Sequence, residues 1–160
     1  MWSKTRQVLE SRLAEPLKGR VQYHYDVYRT KGCKANPRWF TEMHVLSIVV
    51  DGKAWFCSNP KYHGMIILRT REEVIRETGY VGSDWGCDAP LFIHEFLCDL
   101  SIGEAIAHDN YFIRLLAVLD ARLGKRKVKA LMERIEEEPE WFRKWIRLRG
   151  ESLGMRVGVT

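Results

Sequence analysis

At 160 residues, 46% hydrophobic and 29% charged, the chain has the length and composition of one ordinary globular domain. A chain of this size buries roughly 70% of its unfolded surface, so its core needs neither a metal nor a disulfide to form. The longest apolar runs are too short to span a bilayer, which argues against a membrane protein.

Residues 3–14 read as a helix, with Trp2, Leu9, Leu13 and Leu17 on one face, ended near Glu15 by Pro16. Val21 to Tyr28 alternates: Val21, Tyr23, Tyr25 and Val27 face one way, Gln22, His24, Asp26 and Tyr28 the other, the pattern of a half-buried strand. Residues 38–50 and 53–57 read as two further strands. Asp51-Gly52 between them is a hairpin signal, because a type I′ turn needs positive φ twice. That turn predicts pairing of Val50 with Lys53, Ile48 with Trp55 and Leu46 with Cys57. Lys61 to Leu68 is ambiguous between helix and strand. Thr70 and Glu73 form a capping box for a helix over 70–78. Val81 to Ala89 reads as a long surface loop. Pro90 opens a helix over 90–99, with Phe92, Ile93, Phe96 and Leu97 inward.

The stretch from Ser101 to Leu131 carries the clearest signals. Ser101 and Glu104 form an S-x-x-E capping box for a helix over 101–107. Asp109 or Asn110 caps a helix over 110–123, whose stripe is Phe112, Leu115, Leu116, Leu119 and Leu123. Gly124 stands where a C′ glycine of positive φ belongs, and a helix over 125–137 follows. The last helix, 140–149, divides into an apolar face (Trp141, Phe142, Trp145, Ile146) and a basic one (Arg143, Lys144, Arg147, Arg149). Gly150, Gly154 and Gly158 mark a mobile tail. The expected fold is therefore α+β and a single domain over 1–160: a small antiparallel sheet of about three strands within residues 21–58, an N-terminal helix and a mainly helical C-terminal half.

The run L-S-I-x-E-A-I-x-x-x-N-x-x-I-R-x-L-A-x-L-D-x-R-x-G-K-R, from Leu100 to Arg126, resembles an uncharacterised bacterial protein family. Met1 to Ala14 is similar to the same family's N-terminus. The resemblance implies one intact domain and names no chemistry.

Charge supplies the first functional lead. Residues 1–109 carry 14 Lys+Arg and 14 Asp+Glu, whereas residues 110–160 carry 12 and 7. The net charge of +5 thus lies in the C-terminal third, where an anionic partner is expected. Three cations in the first turn of the helix that starts at Lys125 oppose the helix dipole. They also make a surface suited to phosphate. Arg122, Lys125, Arg126, Lys127 and Lys129 are therefore the candidate nucleic-acid contacts, unless they pair with neighbouring acids or form a solvated face.

Other chemistries have weaker patterns. Four cysteines, 33, 57, 87 and 98, lack C-x-x-C spacing and a leading signal peptide, which suggests reduced thiols and a cytoplasmic setting. His94 and Cys98 stand at i and i+4 with Cys87 upstream and Cys57 elsewhere. That is half a zinc motif, and cysteine is more commonly packed in the core. Asp84, Asp88, Glu95 and Asp99 cluster along the chain and would form an acid–base pair only if they converge. No Walker loop, G-x-G-x-x-G, G-x-S-x-G or H-E-x-x-H occurs, so no cofactor is expected. The leading expectation is a non-catalytic cytoplasmic interaction or adaptor protein, with an unknown protein partner or self-association. A protein that binds nucleic-acid backbone through the helix pair around Gly124 is the second, and a small enzyme centred on residues 81–99 the third.

Overall fold

The computed structural model describes residues 2–30, 41–57 and 89–155. The α+β expectation is met: a three-stranded antiparallel sheet in the order β1-β2-β3 is flanked by an N-terminal helix and followed by a helical C-terminal half. The predicted helix over 70–78, the ambiguous segment 61–68 and the loop 81–88 lie outside the described residues.

Helix α1, Trp2–Ser11, stops three residues before the predicted end. The reason is competition for backbone hydrogen bonds. Ala14 N–H donates to the Leu119 carbonyl at 3.0 Å, and Ala121 N–H donates to the Arg12 carbonyl at 2.7 Å. The chain thus leaves the helix to pair with a distant segment, forming a bridge between Leu13 and Asp120. Pro16 then sits in a 3-10 turn, Glu15–Leu17. Leu9, Leu13 and Leu17 are buried as the spacing predicts.

Strand β1 is Val21–Thr30, β2 is Thr41–Val50 and β3 is Lys53–Cys57; residues 38–40 of the predicted second strand lie outside the described residues. Asp51 and Gly52 adopt φ of 49° and 79°, the doubly positive pair that the hairpin turn requires. The predicted register holds at Val50 with Lys53 and fails beyond it. Ile48 pairs with Phe56 and Ser47 with Cys57, with a bulge between Ile48 and Val49. Trp55 is the extra residue, and a bulge re-aims side chains. Phe56 therefore enters the core opposite Ile48 and stacks on Phe112, with ring centroids 5.3 Å apart. Trp55 is freed to meet Trp145 edge-on at 5.3 Å.

Helix α2 is Ala89–Cys98, with Ala89, Ile93 and Phe96 buried. The short helix α3, Ile102–Ile106, starts at the predicted capping box: Glu104 N–H donates to Ser101 Oγ at 3.2 Å and Ser101 N–H to Glu104 Oε2 at 2.8 Å. These bonds hold the Glu104 carboxyl below its ordinary pKa. Helix α4, Tyr111–Leu119, is capped by Asn110. Seven of its nine residues are buried, so it is the helix around which the core closes rather than a surface helix with one stripe.

Two expectations around Gly124 are corrected. Helix α4 ends at Leu119, not 123, because Asp120 turns the chain: its Oδ1 accepts the Arg122 N–H at 2.8 Å, a short-range bond typical of aspartate in turns. Gly124 has φ −67° and ψ 156° and is the N-cap of helix α5, Lys125–Glu133. No positive φ is involved. A 3-10 turn, Ile135–Glu137, replaces the predicted last turn of that helix. Helix α6 runs Glu140–Ser152 and contains Gly150, which corrects the expected tail from that residue. Gly150 is there for close packing: a Cβ at this position would lie 2.9 Å from Met132 Sδ. One cluster of buried side chains extends from Leu9 on α1 through Phe56, Phe96 and Phe112 to Trp145 and Leu148 on α6.

Candidate functional site

The predicted basic residues do not form one surface. Arg122 is engaged with the buried carboxylate of Asp120, donating from Nη2 at 2.9 Å and from Nε at 3.1 Å to both oxygens. Its guanidinium also lies over the Phe96 ring at 5.5 Å. Lys125, Arg126, Lys127 and Lys129 are all exposed. On a helix turning about 100° per residue, Lys125 and Lys129 share a face and Lys127 points about 200° away from Lys125. Lys129 faces Glu133 at 3.8 Å. Lys127 reaches towards α3, where its Nζ would be 3.3 Å from a Cβ on Gly103.

Lys127 also lines a cleft of about 440 Å³ whose other charged groups are Arg114, Arg134, Glu137 and Glu138. That cleft is largely neutralised from within. Arg114 pairs with Glu138, which also accepts the Tyr111 hydroxyl at 3.1 Å; Arg134 pairs with Glu137. The basic face expected on α6 is dispersed as well. Arg143 pairs with Glu136. Arg149 is buried and donates to the Leu123 carbonyl and to Ser152 Oγ, each at 3.1 Å. Lys144 Nζ donates to the Trp55 carbonyl at 2.8 Å, and burial lowers its pKa to about 8.

The acidic and metal-type candidates separate too. Asp84, Asp88 and Cys87 lie outside the described residues. Glu95 faces His108 Nε2 at 3.3 Å, whereas Asp99 faces His94 at 3.8 Å. Cys57 is buried in β3 and Cys98 exposed on α2. Among the described residues no three His, Cys, Asp or Glu side chains gather in one place, and no helix is long and apolar enough to cross a membrane.

A larger concavity lies elsewhere, between α1 and α2 beside β1. It encloses about 600 Å³. Two helical stripes and one strand residue build it. Helix α1 supplies Trp2, Lys4, Thr5 and Val8, and the turn after it Arg12; α2 supplies Pro90, Ile93, His94, Leu97 and Cys98; β1 supplies Tyr25. The walls are mostly apolar. Trp2 and Tyr25 close one end with ring centroids 5.3 Å apart, and the Tyr25 hydroxyl lies 2.7 Å from His44 Nδ1. Val8 is left 42% exposed on the groove wall.

Arg12 is a charged group of this groove that the sequence reading missed. Its backbone is held by α1 on one side and by Ala121 on the other. Its Nη2 makes a long 3.4 Å bond to the Leu97 carbonyl at the C-terminal end of α2, a position where helix carbonyls favour a cation. Its Nη1 is buried, and among the described residues it has no hydrogen-bond partner. The signal that could have located it is the spacing Trp2, Thr5, Val8, Arg12, which continues one helical edge into a cation.

Comparison with known proteins gives one result. No curated protein and no solved structure matches the chain. A family model described as the SF0329 protein family matches residues 1–85 and 87–150, which covers both stretches that carried the resemblance. The chain therefore belongs to the SF0329 protein family.

Proposed function

We propose that this is a non-catalytic binding protein of the bacterial cytoplasm, and that the groove between α1 and α2 takes its ligand. The observation that carries the reading is the groove's make-up: a concavity of about 600 Å³ with mostly apolar walls and two cations, Lys4 and Arg12. Ligand sites have that size and that economy of polar groups. Apolar walls give affinity through water release, and the few charges give orientation. Nile red, an uncharged dye that brightens in apolar surroundings, tests the reading. The wild type is expected to raise its emission, and Val8→Trp, which fills the groove from an exposed wall position, to abolish most of that rise. Equal emission from two folded proteins would overturn it.

A second reading is kept for one specific observation. Helix α5 has no side-chain N-cap, and Lys125 and Arg126 stand exposed in its first turn, an arrangement that suits a phosphate. Contact with the backbone alone would be non-specific and steeply salt-dependent. Replacing Lys125, Arg126, Lys127 and Lys129 by Ala should abolish salt-sensitive binding of short DNA or RNA on this reading. Absence of binding by the wild type at low salt would remove it.

A further inference from the structure

Among the described residues, six arginines pair with carboxylates. Arg6 pairs with Glu10, Arg20 with Asp51, Arg114 with Glu138, Arg122 with Asp120, Arg134 with Glu137 and Arg143 with Glu136. Arg12 does not: among the described residues no carboxylate pairs with it. It has five N–H donors. One makes the long bond to Leu97, and buried Nη1 has none. A buried donor without an acceptor is unfavourable, and the side chain that carries it lines both the groove and a small closed void beside Tyr23 and Asp120.

We infer that the groove binds a small amphipathic carboxylate, with the Arg12 guanidinium as its counter-ion and the apolar body between Trp2, Val8, Tyr25, Ile93 and Leu97. This rests on the binding reading above and adds the ligand's class. The planar fork of arginine matches a carboxylate in shape and charge. Low local dielectric strengthens that pairing relative to water. The walls exclude a highly charged ligand, because apolar side chains cannot replace its hydration. Lys4 and His94 line the same groove and are the remaining groups that could favour an anion there.

Val8 and Arg12 stand at i and i+4, and Arg12 N–H donates to the Val8 carbonyl at 3.2 Å. Glutamate at position 8 would therefore place a carboxylate beside Arg12 in the favourable helical order. Val8→Glu is a ligand mimic built into the chain, and it keeps Arg12 in place.

The test is calorimetric titration of the full chain with decanoate, decanol and decylammonium. Decanoate is expected to bind the wild type most tightly. Loss of a charge-assisted pair should weaken it roughly 10- to 100-fold in Arg12→Met, with decanol little changed. Arg12→Lys should recover part of the loss, and Val8→Glu should block decanoate while raising the Tm. Decanol and decanoate binding equally well, both indifferent to Arg12→Met, would overturn the carboxylate inference and leave the binding reading standing. Failure of all three ligands, together with an unchanged Nile red signal in Val8→Trp, would overturn both. A dimer that Val8→Glu dissociates, with no decanoate bound, would assign the groove to a second copy of the chain and overturn the inference.

Discussion

Single buried polar groups set the pH response and much of the local stability. Lys144 is a base whose folded-state pKa lies near 8, below its ordinary 10.5, because burial disfavours its charge. Between those values the unfolded chain binds more protons than the folded one, so stability rises with pH across that window. Tyr23 acts with the opposite sign. Burial first, then the charges of Asp120 and Glu10, raise its pKa above the ordinary 10.0. Above about pH 10 the unfolded chain loses a proton that the folded chain keeps, and stability falls. Urea denaturation between about pH 7 and 11 should therefore show a maximum near pH 10. Lys144→Met should flatten the rise and Tyr23→Phe soften the fall; a flat wild-type curve would contradict both assignments. Asp120 is only 2% exposed and satisfies both Arg122 and the turn that ends α4. Asp120→Ala should cost about 2–4 kcal/mol, since it removes one partner of a partly buried pair. A loss below ~0.5 kcal/mol on the same assay would show that the turn forms without it.

At the scale of elements, the capping signals were legible and the terminations were less so. Ser101, Glu104 and Asn110 cap the helices they were expected to cap, because an N-cap is a local bond written into adjacent residues. The end of α1 depends on Ala14 meeting Leu119, and the end of α4 on Asp120 meeting Arg122. The first is a long-range contact with no local signature. The second was hidden by Gly124, which looked like the stronger stop. The β-bulge at Trp55 was equally invisible, since turn chemistry sets the register only next to the turn and core packing sets the rest. Gly124 offers a sharp test. Its β-region backbone and open surroundings predict that Gly124→Asp, by capping α5 and opposing its cationic first turn, stabilises by about 0.3–1 kcal/mol. A C′ glycine of positive φ would instead make that change unfavourable. Gly150 tests the other boundary. Gly150→Leu should cost about 1–3 kcal/mol by forcing Met132 and α5 away from α6, whereas a residue in a tail would tolerate it. Thermal denaturation of the two variants distinguishes these outcomes.

For the whole molecule, composition pointed to the C-terminal third and the fold points to the opposite end. An excess of Lys and Arg counts charges without saying where they face. Folding sets Arg114, Arg122, Arg134 and Arg143 against carboxylates, buries Arg149 and divides the α5 cations between two sides. The groove was not legible because its walls come from residues about 90 positions apart, and each stripe alone reads as an ordinary amphipathic face. Only the assembled fold brings Arg12 beside Leu97 and leaves its Nη1 without an acceptor among the described residues. The most direct measurement is amide hydrogen exchange across the full chain with and without decanoate. The account predicts slowed exchange at residues 2–12 and 91–98 and around Tyr25, reduced in Arg12→Met at the same decanoate concentration. Protection at residues 125–134 instead, or no protection anywhere at saturating decanoate, would contradict it.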